Sequence, residues 1–488
     1  MGQPLGLRSR RPGAGGPQAL ASRCIAIARP GVGAVGDLQV PYNRLLRSAA
    51  ERGERVPQRS PGASTLRHAL FIAFHYPPEA SSSGVLRTLK YSRYLLEHGW
   101  RVSVITPEAS AHPIRDSQLE GQIPAGTRVI RTRVLNTKRD LSLRGRYPAL
   151  LALPDVWIGW LPFAVAAARR LLAIDPVDLV YSTSPHATAH LIASRIASAA
   201  RRPWVADFRD PWIEEPPEPG TPNGFVFRTV NRWLERRVVM RSDAVVTSTT
   251  HLRDVMRLRY PDQPQEKFRA ILNGYDEADF EGRPLLPSTS GTRLRIVHAG
   301  SINAQFRDPR PLFSAFARLA DGGRIAAAQI EIRFVGSGAF GDSPEVRAAV
   351  VQAGLKDAVA FLARVPYDES LRELSQADLL LLLQASDDTI GLVPAKLYEY
   401  LRTQRPVLAL VRPGAVTEVL AQTGGGWSAD PDDTKTLDAT LADIVRQWQA
   451  GELAAHAADL TALRRFDRRA LTGELASVFD AVCRLRGA

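Results

Sequence analysis

Short apolar runs alternate with helical segments from residue 67 onward, and this alternation limits the fold more than any other feature of the sequence. Residues 68–74 form an apolar run of strand length, residues 85–96 place apolar side chains on one helical face, and residues 101–106 form a second run. The pattern recurs up to residue 280. Strands that alternate with helices indicate a parallel, doubly wound α/β sheet. The sequence therefore predicts an N-terminal Rossmann-like domain over residues 67–280.

A second series of the same kind follows a stretch rich in Gly, Pro and Ser at residues 281–291, which we interpret as a linker. Residues 292–465 alternate strands and helices again, so we expect a second Rossmann-like domain there. Residues 466–488 are predicted to form a C-terminal helix that returns to the N-terminal domain. Such sheets bind ligands beyond the carboxyl ends of their strands. Two tandem domains facing a cleft are therefore expected to hold a ligand between them.

Residues 1–66 form a basic extension rich in Gly, Pro and Arg, which we expect to be disordered. Of the formal net charge of +13, residues 1–60 carry +7, from ten Arg and three acidic residues, so the rest of the chain carries +6. The extension is interpreted either as a dispensable addition or as a tether to a membrane surface. The weakly charged body has no zinc-finger or RNA-binding signature, so we expect no nucleic-acid partner.

The number of cysteines and the hydropathy of the sequence indicate the cellular compartment of the protein. Two cysteines, Cys24 and Cys483, exclude a disulfide-stabilised scaffold and a cysteine-rich metal site. No apolar run reaches 18 residues, so the sequence predicts no transmembrane helix. The N-terminus lacks the apolar core of a signal peptide. Together these features predict a cytoplasmic protein.

Small-residue loops before two predicted helices are candidate phosphate sites. Ser82, Ser83 and Gly84 precede the first helix, and Arg87 follows one turn later. A loop of small residues lets backbone N–H groups and the helix dipole approach a phosphate or a carboxylate. We therefore predict a phosphate or acceptor loop here, although Ser and Gly are also ordinary residues at a helix start.

The C-terminal domain has a second loop of small residues, and it also has a helix that contains one of the few lysines in the chain. Gly300 and Ser301 end a strand, and Arg307 can make a forked contact to a diphosphate. The chain has six Lys against 57 Arg, and Lys396 lies three residues before Glu399 in a helix that starts at a proline. On one helical face, the cation can meet phosphates and the carboxylate can accept from hydroxyls. An exposed ion pair is the alternative interpretation.

Residues 204–212 end an apolar strand with Asp207, Arg209 and Asp210 in quick succession. Charged groups at this spacing are costly in a core, whereas they suit a cleft. We take Arg209 and Asp210 as candidate catalytic residues, and a structural network of charges is the alternative.

The motifs as a set resemble the retaining glycosyltransferases of family 4, which have the two-domain GT-B fold. The sequence is most similar to the bacterial surface-polysaccharide branch related to N-acetylfucosaminyl transferases. The matching segments are residues 75–78, 81–84, 182–185, 207–212, 273–276, 298–301 with Arg307, and 394–400. They follow the family's order and span about residues 67–470. None of them identifies the sugar.

The resemblance implies that the C-terminal domain binds a nucleotide-diphosphate sugar, with a UDP-sugar as the expected donor. Glu399 falls where the second glutamate of the family's E-x7-E element contacts donor hydroxyls, and the first glutamate would fall at Gly391. Arg307 and Lys396 would bind the diphosphate. Gly300, Ser301 and Leu397 complete the predicted donor site.

The resemblance also implies a mechanism. Many members have a histidine where this chain has Arg209, so Arg209 and Asp210 are expected to organise the acceptor and the leaving group. The implied reaction is front-face substitution with retention, in which a leaving phosphate oxygen takes the acceptor proton. We see no obvious histidine–carboxylate pair in the sequence, which agrees with that mechanism. We expect no cofactor and no catalytic metal.

The expected acceptor is a glycan or a lipid-linked sugar of surface-polysaccharide synthesis. Trp157, Trp160 and Phe163 lie close to a basic pair, Arg169 and Arg170. Indoles and arginines suit the interface of an anionic membrane, so peripheral contact with the cytoplasmic membrane face is expected. A helix buried beneath the sheet is the alternative interpretation of this segment.

Two other functions stay open at this point. One is an epimerase or hydrolase of nucleotide-sugars with the same fold, which would need histidine and acidic groups around the anomeric carbon. The other is a catalytically silent, donor-binding partner subunit. A Rossmann oxidoreductase is disfavoured because no G-x-G-x-x-G follows the first strand.

Overall fold

The structure is a computed structural model that describes residues 66–81, 84–142, 147, 149–213, 224–282 and 292–487. The extension predicted to be disordered lies outside the described residues, apart from Leu66. Most of the predicted linker at residues 281–291 lies outside them as well. None of the helices in the described residues is both long and apolar enough to cross a membrane.

Within residues 66–282, the described chain forms a seven-stranded sheet in which every neighbouring pair of strands is parallel. Its strands are β1 (Arg67–Ala73), β2 (Trp100–Pro107), β3 (Arg128–Thr132), β4 (Leu179–Thr183), β5 (Trp204–Phe208), β6 (Ala244–Thr247) and β7 (Phe268–Ala270). The strand order is β3-β2-β1-β4-β5-β6-β7. The order reverses between β1 and β4, and the loops that follow these two strands therefore border the crevice where such sheets bind ligands.

Helices cover both faces of this sheet, which is why its strands are continuous apolar runs. On β1, for example, Leu70 and Ile72 belong to the core on one face, and Ala69 and Phe71 belong to the core on the other. The helices are α1 (Gly84–Tyr94), α2 (Ser117–Gly121), α3 (Thr137–Asp140), α4 (Leu161–Ile174), α5 (Ala187–Ala200), α6 (Phe225–Arg241) and α7 (Thr250–Arg259).

Residues 292–467 of the described chain form a second parallel sheet, of six strands, with the order β10-β9-β8-β11-β12-β13. Its strands are β8 (Leu294–Ala299), β9 (Ile330–Val335), β10 (Val359–Leu362), β11 (Leu379–Gln384), β12 (Val407–Val411) and β13 (Gly426–Ala429). Its helices are α8 (Arg310–Asp321), α9 (Pro344–Gln352), α10 (Tyr367–Ser375), α11 (Ala395–Arg402), α12 (Ala415–Thr423), α13 (Thr434–Ala450) and α14 (Leu460–Leu463). Two tandem Rossmann-like domains confirm the predicted fold class.

A last helix, α15 (Arg468–Gly487), leaves the second domain and packs on α1 of the first. Its apolar face, including Leu475 and Phe479, is buried in the core that contains Phe71. Trp100 Nε1 donates a hydrogen bond to the Asp480 carboxylate at 2.9 Å. The C-terminus of the chain therefore forms part of the N-terminal domain.

The segment that follows the last strand of the first sheet is held against α1 by ion pairs. Lys90 Nζ lies 2.6 Å from Asp276 Oδ2 and 2.7 Å from Asp279 Oδ1, and Tyr94 donates its hydroxyl to Asp276 at 2.6 Å. Tyr367 of the second domain donates to Asp279 at 3.4 Å. These contacts hold the crossing between the two domains next to α1.

Candidate functional site

Lys396, which was predicted to belong to a donor site, lies at the carboxyl end of β8. It belongs to the first turn of α11, and its Nζ donates a hydrogen bond to the Ala299 carbonyl at 2.6 Å. Gly300 has φ of 111°, and a Cβ there would lie 2.6 Å from Nζ, so a glycine is needed for the lysine to approach. Burial, aided by the charge of Arg307 and opposed by that of Glu399, lowers the pKa of Lys396 to about 7. An anion bound here would restore the protonated form.

Arg307 lies in the same place and is supported by its own loop. The side-chain oxygen of Asn303 accepts from the backbone N–H groups of residues 305–307 at 3.0–3.3 Å, which curls the loop around it. Arg307 Nη1 lies 3.4 Å from Ser301 Oγ, and its guanidinium stacks on Phe306 at 4.9 Å. Burial lowers the pKa of Arg307. Gly300, Ser301, Arg307 and Lys396 thus lie together at the carboxyl end of β8, where they form a cluster with two basic side chains.

Glu399 lies one turn beyond Lys396, and Tyr367 donates its hydroxyl to Glu399 Oε1 at 3.0 Å. Burial raises the pKa of Glu399, and the charge of Arg468 and the hydrogen bond from Tyr367 oppose that rise. The side chain of Leu397 does not join this cluster. Its side chain is fully buried in the core beneath α11, and its N–H is bonded to the Pro394 carbonyl at 3.0 Å.

Gly391, where the resemblance leads one to expect a glutamate, touches the other domain. A Cβ on Gly391 would lie 2.1 Å from Cδ2 of His251, a residue in the first turn of α7. The imidazole therefore occupies the space that a larger residue at position 391 would need. The two domains are in direct contact immediately before α11.

Arg87 is not a loop cation, in contrast to its predicted role. It is buried, with Nε and Nη2 donating to the Asp207 carboxylate at 3.1 and 3.0 Å. Its Nη1 and Nη2 also donate to the carbonyls of Leu272 and Ile271, both at 2.9 Å. Four of its five N–H groups are bound within the protein. Arg87 therefore positions Asp207 and the end of β7.

Asp207 is completely buried and fully hydrogen-bonded. Besides Arg87, the hydroxyls of Tyr181 and Thr183 donate to its Oδ2 at 2.6 and 3.0 Å. Burial alone would raise the pKa of Asp207, but the charge of Arg87 and these hydrogen bonds hold it below its ordinary value. This pair corresponds to the structural network that the sequence left open as an alternative.

Arg209 follows two residues later, and its environment differs. Its residue surface is 7% exposed, yet Nε and Nη1 have no hydrogen-bond partner among the residues that the structure describes. The guanidinium lies against Gly84, where α1 begins, so close that a Cβ there would lie 1.4 Å from Nη1. Asp210 is half-buried beside it, and the negative charge of Asp210 partly opposes the lowering of the Arg209 pKa that burial causes. The predicted loop residues Ser82 and Ser83 lie outside the described residues.

A histidine–carboxylate pair stands beside Arg209, which corrects the expectation that the chain has none. His75 Nδ1 lies 2.9 Å from Glu79 Oε2 in the loop after β1, and Ser81 N–H donates to Glu79 at 2.5 Å. The ring of His186 stacks on that of His75 at 5.4 Å. Burial lowers the pKa of both histidines, and the positive charge of Arg209 adds to this effect.

Sequence reasoning missed this pair for a physical reason. The four-residue spacing of His75 and Glu79 is that of a helical face, but the segment contains Pro77 and Pro78 and forms a loop. The signal that could have found it is the position of His75 two residues beyond a buried parallel strand, where the side chains of α/β sites collect.

The aromatic segment that was predicted to contact a membrane is packed inside the protein. Trp160 has no exposed surface, and its Nε1 donates to Thr132 Oγ1 at 2.7 Å. Trp157 packs on Phe74 with ring centroids 4.6 Å apart, and Phe163 is half-buried. For Trp160 the membrane interpretation was wrong and the alternative, burial beneath the first sheet, is confirmed.

No three His, Cys, Asp or Glu side chains in the described residues are grouped so that they could hold a metal ion. The expectation of a metal-free reaction stays a prediction.

Comparison with known proteins agrees with this arrangement. Residues 84–274 match the family model of the Glycosyl transferase 4-like domain. The structure is similar to HepE of Anabaena, solved in complex with UDP and glucose, at 16% identity over 85% of this chain and 100% of that one, with a TM-score of 0.57. It is also similar to a sucrose-phosphate synthase of Thermosynechococcus elongatus, at 15% identity over 85% and 98% of the two chains, with a TM-score of 0.57.

A third similar structure is the lipopolysaccharide outer core galactosyltransferase WaaB, at 11% identity over 85% and 99% of the two chains, with a TM-score of 0.54. No curated protein matches the chain in sequence. Likeness at this level of identity shows the GT-B fold. Together, the glycosyl transferase 4-like domain and the GT-B fold support the predicted glycosyltransferase.

Proposed function

We propose that the protein is a retaining glycosyltransferase that moves a sugar from a UDP-sugar to a glycan or lipid-linked acceptor. The observation that carries the proposal is the pair of basic side chains at the end of β8, where Lys396 and Arg307 lie close to Gly300. HepE, which has the same fold, was solved with UDP and glucose. The motifs at residues 75–78 and 207–212 are the reason to propose the surface-polysaccharide branch that resembles N-acetylfucosaminyl transferases.

The proposed transfer reaction follows from the charges of these basic side chains. Arg307 and Lys396 bind the diphosphate, and their positive charges stabilise it as the bond between the anomeric carbon and the phosphate oxygen breaks. The acceptor oxygen bonds to the anomeric carbon on the same face, and its proton passes to the departing phosphate oxygen. Glu399, held by Tyr367, accepts from donor hydroxyls. No cofactor or metal is required for this sequence of events.

The acceptor is proposed to bind on the N-terminal domain, next to Arg209 and Asp210. Both residues follow β5 at the carboxyl edge of the first sheet. In a doubly wound sheet this edge is where ligands bind, so it offers the acceptor a place opposite the donor domain. The buried charge of Arg209 lies here, and no group in the described part of the chain accepts a hydrogen bond from its Nε or Nη1.

Helix α6 is proposed as the surface that meets an anionic membrane. Phe225 and Trp233 are 83% and 55% exposed, and Val226, Trp233 and Met240 recur every seven residues along one side of the helix. The helix contains five Arg and one Glu, and that Glu is buried. Exposed apolar side chains bordered by arginines suit the headgroup region of anionic lipids. The exposed apolar side chains of this helix replace Trp160 as the basis for peripheral contact.

One alternative gains support from the structure. An epimerase or hydrolase of nucleotide-sugars needs histidine and acidic groups near the anomeric carbon, and His75 with Glu79 provides such a pair. A silent donor-binding subunit is the other alternative, which requires a donor site without turnover.

The test measures what happens to UDP-sugars in the presence and absence of acceptor. Purified full-length protein is incubated with UDP-glucose, UDP-galactose and UDP-N-acetylglucosamine, with or without a bacterial lipid extract, and UDP and sugar products are followed by NMR. Acceptor-dependent UDP release with an α-linked product supports the proposal. Free sugar or an epimerised donor without acceptor indicates the first alternative, and UDP binding without any product indicates the second.

A further inference from the structure

A histidine in the loop after β1 has one ring nitrogen bound within the protein, while the other is left for a ligand. His75 Nδ1 lies 2.9 Å from Glu79 Oε2, and the side chain of Glu79 is buried. In the described part of the chain Nε2 of His75 has no hydrogen-bond partner, yet it is not completely buried. Nε2 therefore keeps accessible surface through which it can bond a substrate.

Glu79 decides which nitrogen of His75 carries the proton. Burial would raise the pKa of Glu79, but hydrogen bonds from His75 and from the N–H and hydroxyl of Ser81 hold it below its ordinary value. A carboxylate only accepts hydrogen bonds, so Nδ1 of His75 has to donate. In the neutral ring Nε2 is then the nitrogen with a free lone pair, which accepts.

The ring of His75 is uncharged at neutral pH. Burial lowers its pKa, the bond with Glu79 opposes this, and the charge of Arg209 adds to the lowering. An uncharged ring that accepts at Nε2 selects a ligand group that donates, such as a hydroxyl. The titratable groups that face the ring are Glu79 in its own loop, His112 after β2, His186 before α5, and Arg209 and Asp210 after β5.

The ring is also fixed in direction. His186 stacks on one face of His75 with ring centroids 5.4 Å apart, and Phe74 packs against it at 5.5 Å and a steep angle. The side chain of His75 is 11% exposed. Because the ring is held by these contacts and by Nδ1, Nε2 points in one direction before any ligand binds, and little further entropy is lost on binding.

The loop that holds His75 lies against the carboxyl edge of the second sheet. Arg364, which follows β10, donates from Nη2 to the Ala80 carbonyl at 2.5 Å, and Ala80 comes directly after Glu79. Arg364 also borders the end of β9, where a Cβ on Gly336 would lie 3.6 Å from its Cα. The proposed donor side and the loop of His75 therefore meet across the same crevice.

We propose that His75 Nε2 accepts a hydrogen bond from a hydroxyl of the acceptor on the carbon next to the one that reacts. The acceptor is then a sugar with neighbouring hydroxyls rather than a simple alcohol. This inference rests on the proposed function and specifies its acceptor. In the proposed reaction the proton of the reacting hydroxyl passes to the departing phosphate oxygen, so a second hydroxyl has to donate to Nε2. His75 binds and orients the acceptor and takes no proton.

The first test locates the proton on His75 and needs no acceptor. NMR spectra of the full-length protein with isotope-labelled histidine are recorded at neutral pH, and His75→Gln identifies the signals of His75. We expect a proton on Nδ1 and none on Nε2. A proton on Nε2 would overturn the inference, because this nitrogen would then donate rather than accept.

The second test compares KM values for the acceptor. UDP release from a UDP-sugar is measured with a bacterial lipid extract as acceptor, for wild type, His75→Phe and His75→Gln. His75→Phe keeps a ring but has no accepting nitrogen, whereas the amide oxygen of His75→Gln can still accept. We expect His75→Phe to raise KM for the extract by about threefold to tenfold, and His75→Gln to recover most of this loss. The KM for UDP-sugar should not change.

His456 offers the matched control, because it stacks on Trp427 in the second domain with ring centroids 4.3 Å apart. His456→Phe should leave both KM values unchanged. An unchanged KM for the extract in His75→Phe, or equal losses in His75→Phe and His75→Gln, would overturn the inference. Thermal unfolding shows whether the variants fold, and the NMR test decides the question if they do not.

The third test addresses the neighbouring hydroxyls. Periodate cleaves the bond between two carbons that carry neighbouring hydroxyls, so the oxidised extract, freed of periodate, should no longer support UDP release by wild type. Undiminished release with the oxidised extract would overturn the inference.

Two further results separate this inference from the proposed function. Free sugar that is released without acceptor, and lost in His75→Phe, would assign the pair of His75 and Glu79 to the activation of water and overturn the inference. Absence of acceptor-dependent UDP release by wild type would reject the proposed function itself. Acceptor-dependent release that His75→Phe leaves unaltered would reject the inference alone.

Discussion

Arg87 and Asp207 meet in a two-point ion pair inside the N-terminal domain, with Nε donating to Oδ2 at 3.1 Å and Nη2 donating to Oδ1 at 3.0 Å. The pair joins the first helix of the domain to its fifth strand, 120 residues later. Arg87, together with Tyr181 and Thr183, takes up the hydrogen bonds of the Asp207 carboxylate, so Asp207 acts on Arg209 through its charge alone among the described residues.

Removal of Arg87 should destabilise the protein. In Arg87→Met, Asp207 stays completely buried without a cation, and breaking a buried pair in this way costs about 3–5 kcal/mol. Because Asp207 has a lowered pKa when folded, its contribution is present above its ordinary pKa and is lost as the pH falls toward the folded value. Urea unfolding at pH 7 measures the loss.

The exposed residue Arg324 provides the matched control, and Arg324→Met should change the free energy of unfolding by less than about 0.5 kcal/mol. A loss below about 1 kcal/mol in Arg87→Met would contradict the role given to the pair.

Lys396 should make stability depend on pH in the ligand-free protein. Burial lowers its pKa from the ordinary 10.5 to about 7, so between these values the unfolded chain binds a proton that the folded chain lacks. Stability from this group therefore rises with pH across that window. We expect the free energy of unfolding of wild type, minus that of Lys396→Met, to increase from pH 6.5 to pH 8.5 in urea titrations.

Lys435, an exposed lysine on α13, is the control for that experiment. Lys435→Met should follow the pH dependence of wild type. Parallel curves for wild type and Lys396→Met would show that Lys396 keeps an ordinary pKa.

The contact between Gly391 and His251 should be sensitive to one methyl group. In Gly391→Ala the Cβ would lie 2.1 Å from Cδ2 of His251, so the imidazole or the domain interface has to move. Overpacking of this kind costs about 1–3 kcal/mol, and displacement of α11 should lower transfer activity by about tenfold. Thermal unfolding and UDP release measure the two effects.

A second substitution makes this prediction specific. His251→Ala should restore most of the stability lost in Gly391→Ala, because the two positions are coupled only if they touch. Gly121→Ala, at a site with no atom within 4 Å of the added Cβ, should be neutral. Additive losses in the double variant would argue against the contact.

Much of the fold could be predicted from the sequence because parallel strands buried on both faces are continuous apolar runs. Strand β11, which is Leu379 to Gln384 and fully buried, is the plainest case. Gly300 and Lys396 were also singled out in the sequence, since each carries a local signal, a strand end and a helix start. The structure brings them together, with Lys396 Nζ donating to the carbonyl of Ala299, next to Gly300, at 2.6 Å, as the strand-edge rule of α/β sheets leads one to expect. Their role in donor binding stays a prediction.

The errors arose where a partner lies far away in sequence. Arg87 was predicted to be a loop cation, because nothing local shows that Asp207 would pair with it. For Trp160 the sequence left a membrane surface and burial beneath the sheet both open, and only the structure shows that its indole fills the core and donates to Thr132. His75 and Glu79 were missed as a pair because the prolines between them predict a turn, as the structure has, and a turn does not by itself show which of its side chains meet.

Helix α6 should bind vesicles that contain anionic lipid. Wild type should sediment with vesicles of phosphatidylglycerol mixed into phosphatidylcholine, and not with pure phosphatidylcholine. Trp233→Ser should weaken binding by removing an exposed indole, and the double variant of Arg237→Gln with Arg241→Gln should weaken it by about 2 kcal/mol, or roughly 30-fold.

Leu460, an exposed leucine of the second domain, offers the control for that surface. Leu460→Ser should bind vesicles as wild type does. Equal binding by wild type and Trp233→Ser would move the membrane contact away from α6.

Calorimetric titration of UDP without metal measures whether the cations at the end of β8 bind the diphosphate of a UDP-sugar. We expect UDP to bind wild type and Lys435→Ala with equal affinity and to bind Lys396→Ala at least about tenfold more weakly, because a charged hydrogen-bond donor is lost. Equal affinity of UDP for wild type and Lys396→Ala, or no binding to wild type, would contradict the account.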